Sequence, residues 1–307
     1  MLQKIDKLRR DMKISYYPGC TLKTKAKNLE EAAVASMAAL GIEFEELSRW
    51  NCCGAVHSLA DDDLIHHVAP VRDLVRAMEQ GSDTVVTLCS MCYNTLARAN
   101  MLMRQDETKR KTINDFMSEE KDYHGEVEVL HFLTFLRDQV GFDALRAKVK
   151  TPLNGLKVAT YYGCTLVRPR DVSIEPTGDR QLMKSFLEAL GATPVDFPDA
   201  TLCCGSYQIL SNPEAALDVV SGILGSAVSA GADALILSCP LCEYNLAKKQ
   251  EHLLESNKIA KKIPVFYFTQ LLAVALGLGG EACRFDLNEK SAVEFLKAKN
   301  VPVAASV

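Results

Sequence analysis

The segment GSDTVVTLCSMC at residues 81–92 occurs a second time, in altered form, as GADALILSCPLC at residues 231–242. In each copy a short apolar run leads into Cys-x-x-Cys, and such a run predicts a buried strand. The residues that follow, 93–103 and 244–254, have the spacing of apolar side chains that is typical of a helix. A strand, a cysteine motif and a helix therefore follow one another twice in this chain.

The other cysteine segments also repeat. ISYYPGCTL at residues 14–22 parallels VATYYGCTL at 158–166, and NCCG at 51–54 parallels LCCG at 202–205. Ten of the eleven cysteines form two matching sets: Cys20, Cys52, Cys53, Cys89 and Cys92, then Cys164, Cys203, Cys204, Cys239 and Cys242. The chain is therefore predicted to be a duplication, with one unit in residues 1–150 and the other in residues 151–307.

The pattern inside each unit alternates strands with helices. Strands are predicted at residues 14–17, 85–88, 127–130, 158–161 and 234–237, and helices at residues 29–40, 93–103, 133–140, 181–190 and 244–254. This alternation predicts an α/β fold of two tandem units, each a Rossmann-like parallel sheet with flanking helices. In each unit the single cysteine and the first cysteine of Cys-x-x-Cys follow predicted strands. We therefore expect one site per unit at the carboxyl ends of the strands.

Composition excludes some classes of protein. A net charge of −4 and a pI near 5.9 over 307 residues argue against nucleic-acid binding. Residues 1–13 lack the features of an export signal, and the apolar stretch 263–280 predicts a strand and a buried helix rather than a transmembrane span. We expect a cytoplasmic protein. Residues 105–123, which the second unit lacks, predict a solvated insertion, with a partner-docking surface as the alternative.

Clustered cysteines in a cytoplasmic chain indicate metal binding or thiol chemistry rather than disulfides. Structural zinc uses four ligands, whereas each unit offers five cysteines. The adjacent cysteines reach different irons of a cluster more easily than one ion, and Gly54 and Gly205 let the chain turn past the sulfurs. A thioredoxin-like dithiol leaves three cysteines per unit unexplained. An iron–sulfur cluster in each unit is favoured, with zinc in one unit and purely thiol chemistry as open alternatives.

The doubled pattern of one cysteine, Cys-Cys-Gly and Cys-x-x-Cys resembles the cysteine-rich CCG domain of heterodisulfide reductase B subunits. The resemblance extends from residue 14 to about residue 280. It implies a noncubane 4Fe-4S cluster for each set of five cysteines, and a catalytic iron–sulfur subunit that reduces a small-molecule disulfide, or forms one from thiols, in one-electron steps. The implied partners are a ferredoxin-like C subunit and a flavin-bearing A subunit.

The same domain occurs in other redox complexes, so a second hypothesis stays open. In that hypothesis the chain is an electron-transfer subunit without substrate chemistry, which connects a flavin or ferredoxin-like partner to another redox enzyme or to quinone. A zinc-stabilised scaffold is the third hypothesis. The chain contains neither a ferredoxin-type cysteine run nor a G-x-G-x-x-G nucleotide loop, so we expect electrons to come from another polypeptide.

A few residues outside the cysteine sets are also candidates for a role. His57 is a weak candidate for a proton donor to a leaving thiolate, and a surface histidine is the commoner interpretation. Five basic residues near the single cysteines would attract anionic thiols, although solvated charge is the commoner interpretation: Lys23, Lys25, Lys27, Arg168 and Arg170. Cys283 has no counterpart in the repeat and is predicted to be structural.

Overall fold

The computed structural model describes residues 12–55 and 63–301, which contain two separate four-stranded parallel sheets. The first sheet has the order β2-β1-β3-β4, with β1 (Met12–Tyr16), β2 (Ile42–Glu46), β3 (Thr84–Thr87) and β4 (Glu128–His131). The second has the order β6-β5-β7-β8, with β5 (Lys157–Thr160), β6 (Thr193–Val195), β7 (Ala234–Leu237) and β8 (Val265–Tyr267). The α/β fold with two repeated parallel sheets is confirmed.

Helices connect the strands in both halves. The first half contains α1 (Lys27–Ala39), α2 (Val68–Glu79), α3 (Ser90–Gln105), α4 (Glu107–Phe116), α5 (Phe132–Phe135) and α6 (Phe142–Arg146). The second half contains α7 (Leu182–Ala189), α8 (Gln208–Ser211), α9 (Pro213–Ser229), α10 (Pro240–Leu246), α11 (Gln250–Glu255), α12 (Phe268–Ala275), α13 (Gly280–Cys283) and α14 (Lys290–Ala298).

Helix α1 illustrates how the local sequence produces these elements. Its alanine-rich sequence KNLEEAAVASMAA has high helix propensity, and Leu29, Ala33 and Met37 lie one turn apart on its buried face. Gly41 follows its end with φ of +79°, a left-handed conformation that glycine adopts without strain. The chain then enters β2, a strand that the sequence pattern did not predict.

The differences from the predicted elements have local causes. Helix α3 begins at Ser90, inside the first Cys-x-x-Cys motif and three residues before the predicted start. The residue before it, Cys89, has an extended backbone. The helix predicted at 244–254 is divided into α10 and α11. The unpredicted strands β2 and β6 lie at sheet edges, and β6 consists of only three residues including a proline.

The strand order places a crevice at the same point of each sheet. In the first half, β1 has β2 on one side and β3 on the other, so consecutive crossovers leave in opposite directions. Ligand sites in such sheets lie outside the carboxyl ends of the strands at this switch point. Cys20 follows β1, the pair Cys52–Cys53 follows β2, and Cys89 follows β3. The second half repeats this arrangement.

The two halves pack against each other through equivalent helices. Helix α12 of the second half packs on α1 of the first, while α5 and α6 of the first half pack near α7 of the second. The equivalent residues Phe132 and Phe268 meet with ring centroids 5.9 Å apart. The Thr269 hydroxyl donates a hydrogen bond of 2.9 Å to the Leu29 carbonyl oxygen. Each half therefore completes the core of the other.

Two further predictions concern the insertion at residues 105–123 and the apolar stretch 263–280. The segment 105–123 contains α4, whose outer face is exposed, but Ile113 and Met117 are buried, and the buried Tyr123 hydroxyl donates to Asn100 Oδ1 over 2.7 Å. The insertion is thus solvated on one face and packed on the other. The stretch 263–280 forms β8 and α12, as predicted. Among the described residues, no helix is both long and apolar enough to cross a bilayer.

Candidate metal centres

The first set of five cysteines converges at the switch point of the first sheet. Cys20 Sγ lies 3.6 Å from Cys52 Sγ, and Cys53 Sγ lies 3.8 Å from Cys92 Sγ. Cys89 directly precedes α3, and Cys92 lies in the first turn of that helix. Three of the five are buried and two, Cys20 and Cys52, are exposed. The site therefore has a buried base and an open face.

The second set has the same arrangement. Cys204 Sγ lies 3.4 Å from Cys242 Sγ, and Cys164 lies close enough to Cys203 that the Cys203 thiol raises its pKa. Cys204, Cys239 and Cys242 are buried, whereas Cys203 is exposed and Cys164 is half-buried. None of the ten cysteines is in a disulfide. The closest sulfur separations are well beyond the disulfide bond length of about 2 Å.

The two sites adjoin where the two halves meet. Cys239 of the second set lies beside Cys89 of the first, close enough that its thiol raises the pKa of Cys89, and the Ser90 side chain also lies beside Cys239. Asn94 Nδ2 on α3 donates to the carbonyl oxygens of Thr165 (2.8 Å) and Arg168 (2.7 Å), which holds the loop after Cys164 against the first half. The sites are therefore neighbours, a relation that the sequence alone did not indicate.

Hydrogen bonds between the thiols favour the thiolate at several positions. Hydrogen bonding with Cys52, and then with Cys92, holds the pKa of Cys53 well below its ordinary value. Hydrogen bonds from Cys164 and then Cys204 lower the pKa of Cys203 to about 2. Thiolate is the form of cysteine that binds metals. Each site thus contains sulfur already stabilised in that form.

Glycines beside the single cysteines let the backbone pass close to the sulfurs. Gly19 has φ of +75°, and a Cβ atom there would lie 2.8 Å from Cys92 Sγ. At the equivalent Gly163, with φ of +65°, a Cβ atom would lie 3.6 Å from Cys242 Sγ. Within residues 12–55 and 63–301, no three His, Cys, Asp or Glu side chains converge as the ligands of one metal ion do. The short contacts instead join sulfurs in pairs: Cys20 with Cys52, Cys53 with Cys92, and Cys204 with Cys242.

A repeated tyrosine, which the sequence analysis did not single out, supports each Cys-Cys loop. The Tyr17 hydroxyl donates to the Asn51 carbonyl oxygen over 2.8 Å, and the Tyr161 hydroxyl donates to the Leu202 carbonyl oxygen over 2.7 Å. Each acceptor directly precedes a Cys-Cys pair. The signal was present in the sequence, because both tyrosines stand three residues before the single cysteine of their set.

A second unpredicted feature belongs to the first site only. The buried carboxylate of Asp73 accepts hydrogen bonds from Asn51 N (2.8 Å) and Asn51 Nδ2 (3.2 Å), and Arg76 donates to Asn51 Oδ1 over 2.7 Å. Burial raises the pKa of Asp73 to about 8. No motif marks these residues, because α2 brings them to the loop from more than twenty residues away.

The remaining candidate residues have varied surroundings. Lys23 forms ion pairs with Glu30 (2.6 Å) and Glu46 (2.5 Å). Other basic candidates lie at the surface or hydrogen-bond to backbone: Lys25 and Lys27 are exposed, Arg168 donates to the Thr201 carbonyl oxygen, and Arg170 donates to that of Pro176. His57 lies outside the described residues. Cys283 is buried away from both sets, and burial raises its pKa to about 12.

Comparison with known proteins gives a consistent result. The family described as the cysteine-rich domain, CCG, matches residues 14–97 and again residues 158–247. The 8-methylmenaquinol:fumarate reductase membrane anchor subunit of Wolinella succinogenes is 34% identical over 266 residues, which cover 86% of this chain and 92% of that protein. The B subunit of the ferredoxin:CoB-CoM heterodisulfide reductase of Methanosarcina mazei is 29% identical, covering 96% of this chain and 99% of that protein.

A solved structure supports the fold. The crystal structure of a hypothetical protein from Helicobacter pylori matches with a TM-score of 0.71 at 11% identity, and the match covers 93% of this chain and 56% of that chain. At this level of identity the likeness concerns the arrangement of strands and helices alone.

Proposed function

Because the chain belongs to the family of the cysteine-rich CCG domain, which includes B subunits of heterodisulfide reductase, we propose that it is the iron–sulfur subunit of a multi-subunit oxidoreductase that reduces a disulfide or forms one from thiols. The observation that carries this proposal is the meeting of two five-cysteine sites at Cys89 and Cys239. Two adjacent thiolate-rich sites suit a substrate that itself contains two sulfur atoms.

Each site is proposed to hold one noncubane 4Fe-4S cluster, in units that span residues 1–150 and 151–307. The proposed ligands are Cys20, Cys52, Cys53, Cys89 and Cys92 for the first cluster, and Cys164, Cys203, Cys204, Cys239 and Cys242 for the second. When bound, such a cluster supplies single electrons and iron with an affinity for sulfur. The five soft donors per site support this assignment over zinc, which takes four ligands.

The chain's own residues contribute access and charge. Cys20, Cys52 and Cys203 are exposed, so a small disulfide reaches both sites from solvent. The Arg168 guanidinium is close enough to the second site to help lower the pKa of Cys203, and the same charge favours an anionic substrate. We propose that electrons come from a ferredoxin-like C-type subunit and a flavin-bearing A-type subunit. The cytoplasmic location stays a prediction.

A second candidate function has one observation in its favour. The relative from Wolinella succinogenes is named as the membrane anchor subunit of a fumarate reductase, which is not a disulfide enzyme by that name. In this alternative the chain transfers electrons between a partner and quinone or another redox enzyme, and it performs no substrate chemistry.

Metal analysis and spectroscopy distinguish these functions. We expect protein purified without oxygen to contain about eight iron atoms, matching sulfide and no zinc. We expect a new EPR signal when candidate thiols are added, because a thiol binds at a cluster. Clusters that never respond to thiols or disulfides would favour the electron-transfer function. About four irons with one zinc would make one site structural and contradict the proposal.

Substitution of Gly19 tests the space around the first site. We expect Gly19→Ala to reduce iron at the first site, because the added Cβ atom would lie 2.8 Å from Cys92 Sγ. Gly163→Ala is the matched control, since its φ is similarly positive but its Cβ atom would lie 3.6 Å from Cys242 Sγ. Iron and sulfide content per chain measures both. Equal iron loss in the two variants would show that backbone strain, not the sulfur contact, matters.

A further inference from the structure

The backbone hydrogen bonds to the sulfurs are the same at both sites. In the first site the backbone N–H groups of Gly54, Ala55 and Cys92 donate to Cys52, Cys53 and Cys89. In the second site those of Gly205, Ser206 and Cys242 donate to Cys203, Cys204 and Cys239. The duplicated loops therefore give the two sites equal backbone polarity.

The side chains beside the sulfurs differ. Three polar residues of the second site replace less polar residues of the first: Ser206 for Ala55, Ser238 for Leu88 and Asn245 for Thr95. The relative exposures of the three polar residues are 5%, 2% and 0%. They adjoin the cysteines closely: Ser206 follows the Cys-Cys-Gly turn and Ser238 precedes Cys239. Asn245 Nδ2 donates to the carbonyl oxygens of Cys204 (2.9 Å) and Ser206 (2.8 Å), which fixes this loop, and lies 3.7 Å from Cys204 Sγ.

The hydroxyl groups among these side chains lack protein partners. Ser206 Oγ and Ser238 Oγ are buried and make no hydrogen bond within the described part of the chain. Buried hydroxyls are normally hydrogen-bonded, so two unpaired ones beside the sulfurs indicate an acceptor supplied by a bound group. Each half also contains one unpaired strand threonine, Thr87 or Thr160, so these two do not distinguish the sites.

One charge that acts on the sulfurs differs in the same direction, because Lys23 beside the first site is ion-paired with Glu30 and Glu46. Arg168 of the second site, whose Nη1 donates to the Thr201 carbonyl oxygen over 2.8 Å, corresponds to the uncharged Thr24 at the first site. The buried carboxyl of Asp73 near Cys53 corresponds to Ile223 at the second site, but burial raises its pKa to about 8, so at neutral pH it is mostly protonated and adds little negative charge. The second site has one carboxyl of its own, Glu243, but Lys248 Nζ lies 3.6 Å from it.

We propose that Ser206, Ser238 and Asn245 raise the reduction potential of the cluster at the second site above that of the cluster at the first. This inference rests on the proposed function. Reduction adds negative charge, and donors to the sulfurs or a nearby cation stabilise that charge. A single electron given to the protein therefore resides on the cluster of the second site. The three residues contact no substrate and act only through that cluster, so they are positioning residues.

An anaerobic redox titration followed by EPR tests the proposal. We expect two midpoint potentials in the unmodified protein, and Cys53→Ser, which leaves only the second site intact, should retain the higher one. Ser206→Ala and Ser238→Ala should each lower that higher potential. The expected effect is about a tenfold change in the reduced-to-oxidised ratio at fixed potential, which corresponds to about 59 mV for one electron.

Ala55→Ser is the matched control, because it adds a hydroxyl at the equivalent position of the first site, and it should raise the lower potential only. If either serine variant loses iron, the other variant and Ala55→Ser still decide the question. The inference is overturned if Ser206→Ala and Ser238→Ala shift the lower potential or shift neither potential. It is also overturned if Cys53→Ser retains the lower potential. The last result would mean that solvent exposure outweighs the hydrogen bonds. Absence of iron from the unmodified protein would instead refute the proposed function.

Discussion

Replacing Cys204 by serine is expected to remove the cluster of the second site, about half of the bound iron, and to abolish turnover of a disulfide. The relative exposure of Cys204 is only 3%, and its sulfur lies 3.4 Å from Cys242 Sγ at the base of the site. A serine hydroxyl is a harder and less acidic donor than a thiol, so it does not replace a buried thiolate ligand of iron. We expect Cys203→Ser to have the same effect.

Iron content, visible absorption and disulfide-dependent turnover measure this effect, with Cys283→Ser as the control. Cys283 is equally buried but belongs to neither set, so its variant should retain all the iron and the activity. Retained turnover in the double variant with both Cys203 and Cys204 replaced would contradict a catalytic role for the second site. Iron loss without loss of turnover would assign catalysis to the first site or to a partner.

The second large effect is expected in the core between the halves. Phe268→Ala should reduce the free energy of unfolding by about 3–5 kcal/mol, the usual cost of truncating a fully buried phenylalanine. Its ring has no solvent exposure and contacts Phe132, Phe186 and His131 at centroid distances of 5.9, 5.8 and 5.9 Å. Two of these partners belong to the first half and one to α7 of the second half. The truncation would therefore leave a cavity at the boundary between the halves.

The midpoint of thermal unfolding at a fixed scan rate, with the clusters bound and oxygen excluded, measures this destabilisation. Phe116→Ala is the matched control, because that side chain is 62% exposed and its loss should change stability by less than about 0.5 kcal/mol. Equal midpoints for the two variants would show that the packing of helices between the halves contributes little to stability.

The elements that the sequence predicted well are those with a strong local signal. The strand at 234–237 agrees fully with β7, and the alanine-rich helix before Gly41 agrees with α1 within three residues. The edge strand β6 was missed because it has only three residues, one of them proline. The edge strand β2 does alternate apolar and charged residues in IEFEE, a signal that the sequence analysis did not use. The helix after the second Cys-x-x-Cys was predicted as one, whereas it breaks between Leu246 and Gln250.

The sequence by itself determined the duplication, the α/β class and the ten cysteines, because repeated motifs and apolar runs are local properties that are visible in order along the chain. Only the tertiary structure decided that the two sites adjoin at Cys89 and Cys239, and that the serines and Asn245 give the second site a polarity the first lacks. The reason is geometric. Contact between residues 150 positions apart depends on how helices α1, α5 and α12 pack between the two halves, and no local pattern encodes that packing.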